Sequence, residues 1–158
     1  MCINIIIQII AQKFLLWPQI FSFLLIACNQ VQYPDTSDLP DNLEQLIFDA
    51  KNGDVDSQFD LGVEYLTNKY ITKNPEKSFL WFKIAAENGD IEAMYNVALA
   101  YDNGDGTQVN VNEAINWYKK SANLSYSAAA YNLSLIYMER DGYKDSKKHI
   151  FWTKKVQS

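Results

Sequence analysis

The chain has 158 residues, with 19 acidic and 14 basic side chains and a formal net charge of −5. That length suits one domain of ordinary size, and the acidic balance excludes a generically basic nucleic-acid binder, whose affinity would come from neutralising phosphates. Both cysteines, Cys2 and Cys28, lie in the first 28 residues and His149 is the only histidine, which excludes a disulfide scaffold, a cysteine zinc site and a multi-histidine metal site from the rest of the chain.

The first segment has the pattern of an address label. Of residues 1–27, 20 are apolar, Lys13 is the only charge, and no acid occurs before Asp35. One positive charge ahead of an apolar run (Phe14 to Ala27) has the form of a secretory signal. The run ends in Leu25-Ile26-Ala27-Cys28, which resembles the lipobox of bacterial lipoproteins, where the signal is cut before a cysteine that then carries lipid. The resemblance implies a signal peptide over 1–27, lipidation at Cys28, and a domain tethered to a lipid bilayer on the periplasmic side of a bacterial cell envelope. The alternative is an uncleaved N-terminal transmembrane anchor, since about 20 apolar residues suffice to span; Gln8, Gln12, Lys13, Pro18 and Gln19 interrupt such a span. Residues 28–40 are mostly polar and include Pro34 and Pro40, the composition of a flexible tether.

From residue 41 to 158 the sequence repeats itself with a period of 36. Ala50, Ala86 and Ala122 keep that step, as do Tyr65, Tyr101 and Tyr137, and Trp81 and Trp117. Gly53-Asp54 returns as Gly89-Asp90, and small residues recur at Gly62, Ala98 and Ser134. Trp152 stands 35 after Trp117, so the last loop is one residue shorter. Units fall at about 54–89, 90–125 and 126–158. A fixed period of this size marks a stack of supersecondary units.

Each unit has the signals of two helices. Ahead of the first, Asp41-Asn42 opens a leading helix with Leu43, Leu46, Ile47 and Ala50 facing in. Asn74-Pro75 opens the second helix of the first unit, with Pro where its missing N–H costs nothing. Asn88-Gly89 ends that helix and Asp90 caps the next, whose buried stripe is Ala93, Val97, Ala98 and Tyr101. Asn103-Gly104-Asp105-Gly106 breaks it, and Asn110 or Asn112 starts a helix with Ala114, Trp117, Tyr118, Ser121 and Ala122 as its stripe. The third unit has Leu124-Ser125-Tyr126 where Asn-Gly-Asp is expected, which puts that turn in question. The final helix, about 146–157, is predicted to carry Ile150, Trp152 and Val156 inward, with Lys147, Lys148, Lys154, Lys155 and His149 in water. Gly62, Ala98 and Ser134 let the partner helix approach, with the tryptophan column expected to fill the space beside them.

These residues resemble the Sel1-like repeats, relatives of the tetratricopeptide repeats. The resemblance is carried by Ala93-Met94-Tyr95-Asn96-Val97-Ala98-Leu99-Ala100-Tyr101 and by Asn112-Glu113-Ala114-Ile115-Asn116-Trp117-Tyr118. It implies an all-α, right-handed α-solenoid of about three helix pairs plus the leading helix, whose first helices line a concave groove. In that arrangement Phe59, Tyr95 and Tyr131 face the groove, with Val63, Leu99 and Leu135 behind them and a polar column of Asp60, Asn96 and Asn132 beside them. Aromatic faces flanked by amides suit a protein or peptide partner. The alternative is that these rings pack only against neighbouring repeats.

No catalytic constellation accompanies the repeat. The chain has no Gly-x-Ser-x-Gly, no phosphate-cradling glycine loop and no Ser-x-x-Lys. Asp102 to Glu113 has the outer spacing of a calcium loop, yet Gly104 and Gly106 replace inner oxygen ligands. No catalytic residue, metal or cofactor is therefore expected. Charge is sorted along the chain: nine acids and one base lie between Asp35 and Glu64, and six bases against two acids between Arg140 and Lys155. Such an asymmetry can steer a partner. The function expected is a scaffold or adaptor; the alternatives are a periplasmic immunity protein that neutralises a secreted toxin and, less favoured, a hydrolase of the β-lactamase or penicillin-binding kind.

Overall fold

The structure, a computed structural model, describes residues 41–67 and 69–157. The expected signal (1–27), the lipidation site Cys28 and the tether (28–40) lie outside them. Helices α1 (Asp41–Lys51), α2 (Val55–Thr67), α3 (Pro75–Glu87) and α4 (Ile91–Asn103) are followed by α5 (Val111–Asn123), α6 (Ser127–Glu139) and α7 (Ser146–Val156). Among the described residues there is no strand, and no helix is long and apolar enough to cross a membrane. Each helix packs chiefly on the next in the chain. The result is an all-α solenoid of hairpins, α2–α3, α4–α5 and α6–α7, with α1 ahead of them.

Helix starts follow from capping side chains. Asn74 accepts from the Lys77 N–H at 2.9 Å and Asn110 from the Glu113 N–H at 3.2 Å. Asp54 takes the Ser57 N–H at 2.8 Å, Asp90 the Ala93 N–H, and Asp145 the N–H groups of Lys147 and Lys148. Each satisfies a donor that the first turn cannot satisfy itself. Asn110, not Asn112, is thus the cap of α5. Three of these five caps also close the loops within hairpins. The backbone N–H groups of Asn74, Asn110 and Asp145 donate to the carbonyls of Tyr65, Tyr101 and Tyr137 at 2.9, 2.8 and 2.8 Å. The tyrosine column therefore anchors each hairpin through its backbone as well as its ring.

The turns between units also repeat. Gly53, Gly89 and Ser125 all take the left-handed conformation, at φ 97°, 104° and 69°. In each, the next residue's N–H returns to a carbonyl five back: Asp54 to Asp49, Asp90 to Ala85, Tyr126 to Ser121. The departure at Leu124-Ser125-Tyr126 keeps the turn and loses only the cap, since Tyr126 makes no side-chain capping bond to α6.

The interior is built on small residues. Ala85, Ala93, Ala98, Ala114 and Ala129 are fully enclosed, so helix axes come close and the large side chains interdigitate between them. A Cβ at Gly62 would stand 2.7 Å from the Phe82 ring. The ring beside Gly62 is therefore that of Phe82, not of Trp81, which lies one residue, about 100° of helix, away. The Gly62 carbonyl also accepts from the Ser78 hydroxyl at 2.8 Å. In the third unit His149 stands where Ser78 stands in the first, and its Nδ1 lies 2.9 Å from the Ser134 carbonyl. His149 is half-buried, a link between α6 and α7, and not the solvated residue expected from its lysine neighbours.

Ile150 likewise departs from expectation. Its counterparts Phe79 and Ile115 are 9% and 6% exposed, whereas Ile150 is 53% exposed. Phe79 is covered by the following unit, with its ring 5.2 Å from that of Tyr101. No following unit covers α7 among the described residues. Helix periodicity identifies a face as apolar; the neighbouring unit decides whether it is buried.

Candidate partner-binding surface

Helices α2, α4 and α6 present the three predicted columns, and their surroundings differ along the stack. Phe59 is half-buried, its ring 5.5 Å from Phe82. Tyr95 is half-buried between Tyr118 and Tyr126, with ring centroids 5.8 and 5.1 Å away. Tyr131 is 53% exposed. Phe59 and Tyr95 are partly covered by these rings and Tyr131 is more open; Thr153 occupies in the last unit the place that Phe82 and Tyr118 hold in the earlier ones.

The polar column is also uneven. Asp60 is exposed, Asn96 donates to the Glu92 carbonyl at 3.0 Å, and Asn132 donates to the Tyr118 hydroxyl at 3.1 Å and the Tyr95 hydroxyl at 3.4 Å. Asn132 thus holds two rings of the preceding unit in place. Burial pushes the Tyr118 phenol well above its ordinary value, so it stays a neutral hydroxyl. The Asn96 side-chain oxygen and the Asp60 carboxylate make no side-chain hydrogen bond among the described residues. Val63, Leu99 and Leu135 are half-buried.

Between α2 and α4 lies a cleft of about 100 Å³, which of the predicted columns takes in Asn96 and Leu99. Leu66 forms one side, Asn96, Leu99 and Asn103 the other, and Phe79 and Phe82 of α3 the floor. The aromatic floor is not among the columns the sequence predicts for this surface. Its sequence signal was the aromatic pair at 82 and 118, one period apart. The structural column is enclosed for the most part: Tyr65, Trp81, Trp117, Trp152, Ala86, Ala98, Ala122, Gly62 and Tyr137 are buried, and Tyr101 is half-buried. At the calcium-like spacing, Asp102 pairs with Arg140 and Asp105 accepts from Asn103.

Charge differs between the first and last helices. Between residues 41 and 64 there are seven acids and one base, and α7 with the loop before it carries the lysines 144, 147, 148, 154 and 155. Such a field orients an approaching partner without contributing much to stability.

A stack of helical hairpins at a 36-residue step, with side chains of the first helices around an apolar cleft, defines a helical-repeat protein. Its sequence matches the Sel1 repeat over residues 55–90, 91–126 and 127–149. The chain belongs to the Sel1 repeat family. A Sel1 repeat protein from Oxalobacter formigenes is 28% identical, with a TM-score of 0.65 over 73% of this chain and 88% of that one. A protective antigen of uropathogenic Escherichia coli strains, which displays an SLR fold, is 34% identical, with a TM-score of 0.70 over 75% of this chain. The match spans 26% of that longer protein. A comparison with curated proteins found no match. Sel1 repeats typically mediate protein–protein interaction and are generally non-enzymatic scaffolds.

Proposed function

We propose that this protein is an exported, membrane-tethered adaptor that binds a protein or peptide partner along α2, α4 and α6. The observation that carries the reading is the cleft between α2 and α4, where Leu66, Leu99 and an aromatic floor leave apolar surface beside the amide of Asn96. Apolar surface with a few polar groups at its rim is the usual make-up of a recognition surface. The sequence Leu25-Ile26-Ala27-Cys28 supports the tether. The acids of the first two helices favour a partner with a basic patch, which suits an immunity protein facing a toxin as well as it suits an adaptor.

Tyr131 is the cleanest test because it is exposed and carries little of the stack. Interface energy concentrates in a few aromatic residues, each worth about 2 kcal/mol or more on truncation. Tyr131→Ala should leave the melting temperature nearly unchanged and weaken binding of a partner captured by the full chain in detergent roughly thirtyfold, at about 1.4 kcal/mol per decade. Unchanged affinity in both Tyr131→Ala and Leu99→Ala would remove the first helices as the binding surface.

A further inference from the structure

The loop junction of the third unit is built differently from that of the second. The loop before α5 runs over residues 104–110, and its Gly106 lies hard against α3: a Cβ there would stand 2.1 Å from the Pro75 carbonyl oxygen. The loop before α7, residues 140–145, is one residue shorter. It reaches α5 through the Tyr143 hydroxyl, which donates to the Asn112 side-chain oxygen at 3.2 Å. Between that loop, one face of α5 and the first turn of α7 there is a cleft of about 380 Å³. That volume is within the range of small-molecule sites, about 300–1,000 Å³.

The lining has changed along with the shape. At this junction stand Asn112, Asn116, Lys119 and Lys148. One period earlier the same places hold Glu76, Leu80, Lys83 and Glu113. One lysine is common to both junctions; two acids and a leucine have become two amides and a second lysine. Lys144 adds a third cation where the earlier loop has Val109. The acid on this rim, Asp145, is committed elsewhere: its carboxylate accepts the N–H groups of Lys147 and Lys148, and the bond to Lys148 above all holds it below the usual carboxylate range. Lys148 sits 3.2 Å from Asp145 and 5.1 Å from the centre of the Tyr137 ring, and Lys144 sits 2.9 Å from Asp141. Both lysines are exposed and each pairs with a carboxylate three residues away, an arrangement that contributes little, so an arriving anion can take the place of the carboxylates. Lys119 makes no ion pair among the described residues.

We propose that this cleft binds a small polyvalent oxyanion, a phosphate or carboxylate compound, with Lys119, Lys144 and Lys148 supplying charge and Asn112 and Asn116 supplying amide donors. Cationic donors around a concave site bind such groups strongly because each hydrogen bond is charge-assisted. The site lies on the second helix of one unit and the loop of the next, apart from the first-helix surface described above, so the two readings fail independently.

The test is calorimetric titration of the full chain in a neutral detergent with pyrophosphate and, separately, with tricarballylate. Saturable binding of either probe is expected, and the one that binds identifies the source chemistry. Lys119→Ala should weaken it at least tenfold, and Asn116→Leu, which restores the leucine of the first unit, should weaken it severalfold with the helical circular dichroism retained. Lys83→Ala, the matching lysine at the other junction, should leave it unchanged. Absence of saturation with both probes would overturn the proposal. So would equal losses from Lys83→Ala and Lys119→Ala, because that would reduce the effect to general electrostatics.

Discussion

Ser125 adopts a conformation that the two preceding units give to glycine. With φ at 69° it meets the steric cost that left-handed backbone imposes on any residue with a Cβ, roughly 1–2 kcal/mol. Its turn is held because Tyr126, in place of a capping aspartate, packs 5.1 Å from Tyr95. The third unit thus exchanges a cap for an aromatic contact. Ser125→Gly should relieve the strain and raise stability by about 0.5–1 kcal/mol, less than the full strain because glycine also loses more freedom on folding. Gly89→Ala, where nothing lies within 4 Å of the new Cβ, should cost about 1–2 kcal/mol through the backbone alone. Thermal denaturation of the two variants checks both signs. A Ser125→Gly protein that melts below its parent would mean that the serine side chain stabilises this turn in some other way.

At the scale of the helix, most of the architecture was legible because the repeat samples the same element three times. Asn74 and Asp90 mark helix starts by their chemistry, and the 35-residue step from Trp117 to Trp152 located the shortened loop. Legibility ended where a contact depends on direction within a face. Phe82 and Trp81 are neighbours of similar character, and only the rotation of α3 decides that Phe82 lies over Gly62. The lysine neighbours of His149 point to the surface, whereas its period partner Ser78 bonds a carbonyl across the hairpin and His149 does the same. The proposed surface is legible in the sequence as columns of residue types. Its cleft is not, because the floor comes from α3 and no single-helix pattern contains it. Trp117 is the element's clearest energetic marker: it is buried, with the Lys120 ammonium 3.6 Å from its ring centre. Trp117→Ala should lower stability by about 3–5 kcal/mol, as buried aromatic truncations do. A melting point within a degree or so of the parent would place Trp117 outside the core.

Across the whole described stack, stability is a chain of neighbour contacts. Each helix meets chiefly the one before and the one after, so each unit buries its face only because the next unit is there. Phe79 and Ile115 are enclosed on those terms and Ile150 is not. The same logic governs the first-helix surface. Phe59 and Tyr95 are partly consumed in holding units together, and what stays available is Tyr131 together with the cleft between α2 and α4. A partner that follows the stack must therefore pass over Asn96 and Leu99, and it meets acids near α1 and α2 and lysines near α7. The direct measurement is site-specific photo-crosslinking in cells, with the photoreactive residue placed at Asn96 or, on the second helix of the preceding unit, at the exposed Glu87. The account predicts a protein adduct from position 96 and none from position 87. An adduct from position 87 with none from position 96 would contradict it and move recognition to the second helices.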